Sequence, residues 1–544
     1  MNKKKYGLSV LICLMMFVTM LSGCGSDSGP SKGQETAQSD ETQKTGDEGS
    51  KQGEKMKLNF WTYYPEQTKI DGYFMNFLKK KFDFDAEFYV ASSDTQKEKL
   101  NLAIASGDTP DWWKSLSFQE YDKLIKQDVV AEIKLEDLEK YAPKYLAFLH
   151  KILGDDPFKY LRRDGKIYGL PGIWDLAPHG GVVGFREDWL KKVGITKTPE
   201  TLDEMEQALN KFRNDDPDGN GKKDTYGITG TAGSIGDLFS FVFGAYGVYP
   251  GAFTEDNGKI VRGEILPGAK EALTVLNRWY QQSLIDPEFI VNKGNNVQDK
   301  MVQEKAGAVS TYWFGLAQDG VFCCNDIYSA LHKKNPNASF AMIPGPKGPN
   351  GDYGMQQGNA LFGVDIMFGK QLEQDHDKMI KYLQVFEFTS FEVESKIALT
   401  YGEEGKTFKK TADGGFEYIK PYDDQKEQWK YGFGGAYSVP GGWNDDYNEE
   451  LAAFNTKDKS LLPLRSKLME LGTGKYDILG PIDRPIYNDY KERLDKLTMQ
   501  TFIDMIIGKK PISEFDSYVA EWNNMGGDKV MAEAEQAYDK LKQQ

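Results

Sequence analysis

Histidine and cysteine are scarce in this chain, with four of each in 544 residues. His150, His179, His332 and His376 share no ligand spacing of the His-Glu-x-x-His kind, so a zinc hydrolase finds no support. A Gly-x-Ser-x-Gly elbow and a Walker loop are also missing, which removes the commonest serine-hydrolase and nucleotide-hydrolase readings. Positive charge is in deficit. Lys and Arg number 67 against 82 Asp and Glu, a net −15. Such a surface argues against nucleic acid, whose binding rests on neutralising phosphate with Lys and Arg. It argues equally against electrostatic adhesion to anionic lipid. Carboxylate pairs such as Glu403-Glu404 and Asp445-Asp446 abound in an acidic chain and read as solvated faces rather than a catalytic dyad.

The four cysteines build no disulfide framework. Cys13 lies in an apolar run and Cys24 just beyond it; Cys323 and Cys324 are neighbours. Adjacent α-carbons sit about 3.8 Å apart, closer than the usual disulfide span of roughly 4.4–6.8 Å. The pair reads either as a strained vicinal disulfide or as two thiols packed like small hydrophobes. The fold must stand on its core.

What is present begins at the N-terminus. Lys3-Lys4-Lys5 precedes an apolar run from Gly7 to Leu21, closed by Leu21-Ser22-Gly23-Cys24. A basic start, a short apolar stretch and small residues at the cut describe a secretory signal. The run is shorter than the roughly 20 residues that span a bilayer. Leu-Ser-Gly-Cys resembles a bacterial lipobox, which implies removal of residues 1–23 and a diacylated, palmitate-bearing Cys24. A simple signal peptide and an N-terminal transmembrane helix are the plainer alternatives. Loss of three lysines and no acid would bring the mature charge to −18. Gly25 to Lys55 holds no aromatic or branched aliphatic residue, so it reads as a flexible, solvated linker.

From Met56 onward the chain is rich in aromatics and shows no repeat. Residues 57–64 read as a strand stopped by Pro65, followed by a helix carrying Tyr73, Phe74, Phe77 and Leu78. Ala86–Val90 reads as a second strand and Asp94–Ala105 as a second helix, before the turn into Trp112-Trp113. This alternation predicts a parallel sheet with crossover helices. Thr201 and Glu204 fit a capping box ahead of Leu202, Met205, Leu209 and Phe212 at helical spacing. Further helices are expected over 268–284 and 297–305, a strand over 308–312, and helices through the last 45 residues.

Two patterns carry chemistry. Asp216-Pro217-Asp218-Gly219-Asn220-Gly221-Lys222-Lys223-Asp224 places oxygen side chains at positions 1, 3, 5 and 9, with Gly at 6 and the Lys222 carbonyl at 7. These are the first nine residues of an EF-hand-type calcium loop. Gly227 stands where the bidentate Glu belongs, so Thr225 or another segment would complete the shell. Calcium there is structural; the bland alternative is a solvated Asp/Gly turn. The second pattern is a set of aromatics at strand ends and loops: Trp61, Tyr63, Tyr64, Trp112, Trp113, Trp174, Tyr312, Trp313, Tyr437 and Trp443. Sugar C–H faces stack on such rings. Any single one is more often core than contact; the aggregate is the signal.

Together with the lipobox, the segments Asn101–Asp111, Gly165–Pro171, Arg186–Leu190, Ile285–Phe289, Tyr401–Gly405, Ile507–Ile512 and Trp522–Gly527 resemble extracellular solute-binding proteins of ABC transporters. The likeness is strongest to the large carbohydrate-binding lipoproteins of Gram-positive bacteria. At the Asp/Asn loop it extends to alginate-oligosaccharide-binding members, with Thr225 replacing an acidic residue those members use. The resemblance implies an α/β, two-lobe periplasmic-binding-protein-like type II fold with hinge strands. Discontinuous lobes are expected at 56–172 with 306–395, and 173–305 with 396–544. It further implies a monomeric, lipid-anchored receptor on the outer membrane face, no catalysis, and an oligosaccharide passed intact to permease subunits. Trp61, Tyr63, Trp112, Trp174, Trp313 and Trp443 are the expected stacking residues, with Asp111 and Glu403 as polar contacts. A receptor for peptides or other small solutes, and a tethered glycoside hydrolase, are the rival readings.

Overall fold

Among the described residues three hydrophobic clusters organise the chain, one in a first lobe and two on the opposite faces of a four-stranded sheet in a second. The computed structural model describes residues 55–62, 64–91, 95–322, 326–411, 414–435, 447–456 and 458–543. Cys24, Tyr63, Cys323, Cys324 and Trp443 lie outside the described residues, as does the side chain of Trp61. No helix among the described residues is long and apolar enough to cross a membrane.

The first lobe begins as its pattern predicts. Strand Met56–Thr62 pairs in parallel with Phe84–Val90, and helix Tyr73–Phe82 crosses between them. Phe74, Met75 and Leu78 form the buried stripe of that helix. The third strand, Trp112–Leu116, departs from the expected parallel sheet. It pairs antiparallel with Leu361–Phe368, which also pairs antiparallel with Leu170–Ile173. Leu58, Phe60, Trp112, Trp113, Val364, Ile366, Phe368 and Tyr382 meet in one core.

The second lobe is built on a four-stranded sheet. Gly181–Arg186 is flanked by Phe340–Ile343 and Ala306–Tyr312, and the latter pairs in parallel with Tyr226–Thr229. Successive side chains of a strand face opposite sides, and here both sides are covered. Val183, Phe185 and Ala308 join a large core with Trp189, Phe212, Trp279 and Trp522. Val182 and Val309 join a smaller cluster with Trp313, Leu316 and Phe322. The Thr201 capping box forms with both of its hydrogen bonds.

These pairings correct the expected lobe boundaries. Residues 306–322 and 326–355 belong to the second lobe, because Ala306–Tyr312 lies between two of its strands. Residues 396–435 pack on the first lobe: Ala398 is in its core, Phe74 N donates to Gly432 O, and the Tyr73 and Tyr431 rings stack at 5.9 Å. Tyr447 follows them, 4.7 Å from Phe391. Local pattern marks a strand or helix but is silent about its distant partner. Among the described residues the chain therefore passes between lobes near 173–181 and 355–361. These two passages lie side by side, Trp174 N donating to Ala360 O and Gly358 N to Ala177 O.

Candidate functional site

In open α/β sheets, ligands bind outside the carboxyl ends of the strands. A crevice of about 150 Å³ occupies that place in the second lobe. Thr229, Thr311 and Tyr312 end two parallel strands there, Gly181 opens the antiparallel one, and Asp237 and Gln356 close the sides. Gln356 Oε1 is buried without a donor. Gln357 instead is fully engaged: its Oε1 accepts from Gly181 N, and its Nε2 donates to Gly181 O and Thr473 O. It ties the strand opening to the inter-lobe passage.

Rings stand at the mouth. Tyr312 lies 5.0 Å from Trp174 and is stacked at 5.3 Å on Phe314. Both Trp174 and Tyr312 are half-buried. A Cβ on Gly180 would meet the Tyr312 ring at 2.3 Å, so the ring lies flat against backbone that only glycine supplies. Burial, and then the charge of Asp237, raise the Tyr312 pKa, which keeps its phenol a hydroxyl donor. On the first lobe, Phe362 is 55% exposed beside Gly172, one residue before Ile173 and two before Trp174. Behind the crevice, Thr229 Oγ1 donates to Asp286 Oδ2 at 2.9 Å, and Lys300 Nζ and Asn292 Nδ2 bond the same oxygen.

Of the sequence-derived contacts whose side chains are described, only Trp174 comes to this crevice, packed on Tyr312 in its wall. Trp112 is wholly buried, its Nε1 donating to Asn59 O, and Trp313 is wholly buried between Phe314 and Phe322. Neither has a face to offer a ligand. Asp111 sits at the opposite end of its strand. Its carboxylate is held by Lys378 at 2.7 Å, Tyr382, Asn59 and Gln371, a core ion pair rather than a ligand contact. Glu403 accepts from Tyr431 OH and pairs with Lys406, neither of which lines the crevice. No sequence pattern marks Thr229, Asp237 or Gln356, which line the crevice. Only Tyr312 carried a signal, as one of the aromatics at strand ends.

At the Asp/Asn loop, Asp216, Asp218 and Asp224 gather around Asn220. Asp216 accepts from Asn220 N and Gly221 N, and Asn220 Nδ2 bonds both Asp218 Oδ2 at 2.7 Å and Asp224 Oδ1 at 3.1 Å. Burial first, and then the neighbouring Asp216 and Asp224, hold the Asp218 pKa above the usual carboxylate value. Lys305 lowers that of Asp224. Among the described residues no group of three or more His, Cys, Asp or Glu side chains is arranged to hold a metal. Here the reason is local: the Asn220 amide nitrogen, not its oxygen, fills the centre. The donor set fits a hard cation once that amide turns over. Thr225 does not fit. It is 1% exposed and its hydroxyl donates to Phe212 O, so its side chain cannot complete the shell.

Residues 64–367 match the family model of bacterial extracellular solute-binding proteins, more than half of the chain. The chain belongs to that family. It is 23% identical over 553 residues to the polygalacturonan/rhamnogalacturonan-binding protein YtcQ of Bacillus subtilis, covering 99% of each. The fold is similar to that of S. pneumoniae FusA in complex with kestose, with a TM-score of 0.64 at 20% identity over 89% of this chain and 99% of the other. An EF-hand mutant of FusA in complex with fructo-nystose aligns with a TM-score of 0.62 at 19% identity over 90% and 99%. At such identity the structural likeness is one of fold: a two-lobe α/β binding protein of type II.

Proposed function

We propose that this chain is the substrate-binding component of an ABC importer, holding an oligosaccharide between its lobes and handing it intact to a permease. The observation that carries the reading is the Trp174–Tyr312 ring pair beside the unpaired acceptor Gln356 Oε1. An aromatic face suits the C–H side of a sugar ring, and a hydroxyl suits the waiting oxygen. The binding roles carried in the names of YtcQ and FusA support the same class of ligand. Recognition needs no bond made. A sugar touching both lobes stabilises the closed form over the open one, and the permease distinguishes the two shapes.

Cys24, diacylated, would hold this monomeric receptor at the outer face of the membrane, on the linker to residue 55, and so raise its concentration near the permease. Calcium would be held by Asp216, Asp218, Asn220, Asp224 and the Lys222 carbonyl, with Asn220 turned to present Oδ1. Its part is to tie the loop down. The Lys192 Nζ bond to Pro217 O already ties the loop to a neighbouring helix. A thermal-shift screen of sugars, peptides and amino acids tests the function, since a ligand that binds only the native state raises Tm. Oligosaccharides are expected to raise it; a response confined to peptides or amino acids overturns the proposal.

A further inference from the structure

Along the strand Leu361–Phe368 only Phe362 is exposed, at 55%. Both of its neighbours, Leu361 and Gly363, are buried. A single exposed ring is ordinary on a protein surface; the place and the pose of this one are not. Its place follows from the sheet. Leu361–Phe368 runs antiparallel to both Trp112–Leu116 and Leu170–Ile173, with Val364 opposite Leu116 and Leu361 opposite Ile173. Those two strands are therefore parallel to each other, and Phe362 stands where both reach their carboxyl ends. That is the ligand edge of an open α/β sheet.

Its pose follows from a bulge. Leu361 pairs with Ile173 and Gly363 with Gly172, so Phe362 is an extra residue with no partner in the register. Such a residue bends its strand and re-aims the side chain. Here the ring comes down over Gly172, where a Cβ would meet it at 2.8 Å. Gly172 and Trp174 are two apart in a ladder that Trp174 N extends by donating to Ala360 O, so both face the same side. The Phe362 ring thus shares a face with Trp174, one strand repeat of about 7 Å away. Gly180 seats Tyr312 in the same manner, at 2.3 Å. The segment between the lobes therefore carries a glycine seat at each end, with Trp174 between them. Phe362 rests at the first-lobe end and Tyr312 at the second-lobe end.

We propose that Phe362 is the first-lobe platform for a second sugar unit, so that the site selects saccharides of two or more units over monosaccharides. The inference rests on the oligosaccharide reading above and adds the residue through which the first lobe takes hold. One unit lies against Trp174 and Tyr312, and the next lies on the phenyl face, because the strand repeat that separates the rings is close to the length of one unit. A single unit touches only the Trp174–Tyr312 end and gives the closed form little advantage. A ligand on both platforms binds the closed form better and shifts the population toward it.

The test is titration calorimetry on the intact chain with inulotriose, maltotriose, mannotriose and trigalacturonate, each beside its monosaccharide. At least one trisaccharide is expected to bind about tenfold or more tighter than its monosaccharide, the scale of an added ring contact. Phe362→Ala should erase most of that gain, and Phe362→Tyr should keep it. Leu102→Ala, at a first-lobe residue 70% exposed on the helix Gln96–Ser106, should leave the gain intact. Should Phe362→Ala lower Tm, Phe362→Leu still covers Gly172 but offers no flat face, and it is expected to lose the gain likewise. A monosaccharide that binds as tightly as its trisaccharide, or a gain that survives these two substitutions, overturns this inference alone. If none of these sugars binds, the oligosaccharide reading falls and this inference with it.

Discussion

Tyr312 and Trp313 are adjacent in sequence and opposite in fate. Tyr312 closes its strand half-exposed, 5.0 Å from Trp174, while Trp313 turns inward at 0% exposure to pack on Phe322. The change from strand to helix falls between them, since Ala306–Tyr312 is strand and Trp313–Leu316 is helical. That single turn of the backbone separates crevice wall from core.

The pair supplies the first prediction. Tyr312→Ala and Trp174→Ala should each weaken oligosaccharide binding by about tenfold, the scale of one lost aromatic contact, with Tm close to that of the unmodified protein. Trp313→Ala should instead lose about 3–5 kcal/mol of stability, as large-to-small changes in a filled core do. Calorimetric titration and urea unfolding on the three variants separate the outcomes. A Trp313→Ala protein of unchanged stability and lost binding would reverse the assignment.

Why half of this was readable from residues alone is a matter of range. The Thr201–Glu204 box and the helix Leu202–Asn214 depend on neighbours three and four positions away, so local pattern suffices. The Asp/Asn loop is equally local, and its side chains do gather around Asn220. Trp112 is hard to place from sequence because it and its neighbour Trp113 are both buried, leaving no alternation to mark an outside. Asp111 was misplaced because only strand direction tells which end of a sheet meets the crevice. Strand Ala306–Tyr312 went to the wrong lobe for a related reason: its partner Gly181–Arg186 lies more than a hundred residues away. Nothing short-range marks Gln356 or Thr229 at all.

The metal loop yields the second prediction. If calcium takes the centre now filled by the Asn220 amide, chelator should lower Tm and added calcium restore it. Stabilisation should be about 2.7 kcal/mol at a hundred times the dissociation constant. Asp218→Asn should abolish the response. Thr225→Val should keep it, because the Thr225 hydroxyl is engaged with Phe212 O. Differential scanning calorimetry with and without calcium reads all three; a Tm indifferent to both chelator and calcium rejects the metal.

Acid sensitivity offers a third. Burial raises the Glu304 pKa, but Arg186, Asn335 and Lys334 together outweigh it and leave the value lowered. A carboxylate whose folded value is depressed adds stability above its unfolded value near 4.5, and that stability is lost as pH falls through the folded value. Glu304→Gln should therefore be less stable than the parent above about pH 5, by about 1–2 kcal/mol given the partial solvent contact. The difference should shrink as pH falls below 4.5 and through the depressed folded value. Urea midpoints measured across that range check it, and a difference constant with pH would exclude the Arg186 pairing as its source.

The buried carboxylate behind the crevice gives the last prediction. Asp286 is 0% exposed and its Oδ2 accepts from Thr229 Oγ1, Asn292 Nδ2 and Lys300 Nζ, the last at 2.6 Å. Asp286→Asn leaves the Lys300 ammonium with Glu288 alone, whose side chain is 67% exposed. A loss of about 3 kcal/mol is expected, the lower end for breaking a buried pair. Binding should weaken as well, because the Thr229 hydroxyl in the crevice wall is then oriented by a neutral amide oxygen, a weaker acceptor than the carboxylate. Lys300→Met on top of Asp286→Asn removes the stranded charge and should recover part of the stability without recovering affinity. A double-mutant cycle on unfolding and on binding makes the comparison. Recovery of both together would mean that Thr229 is positioned by the strand itself and that Asp286 acts only through Lys300.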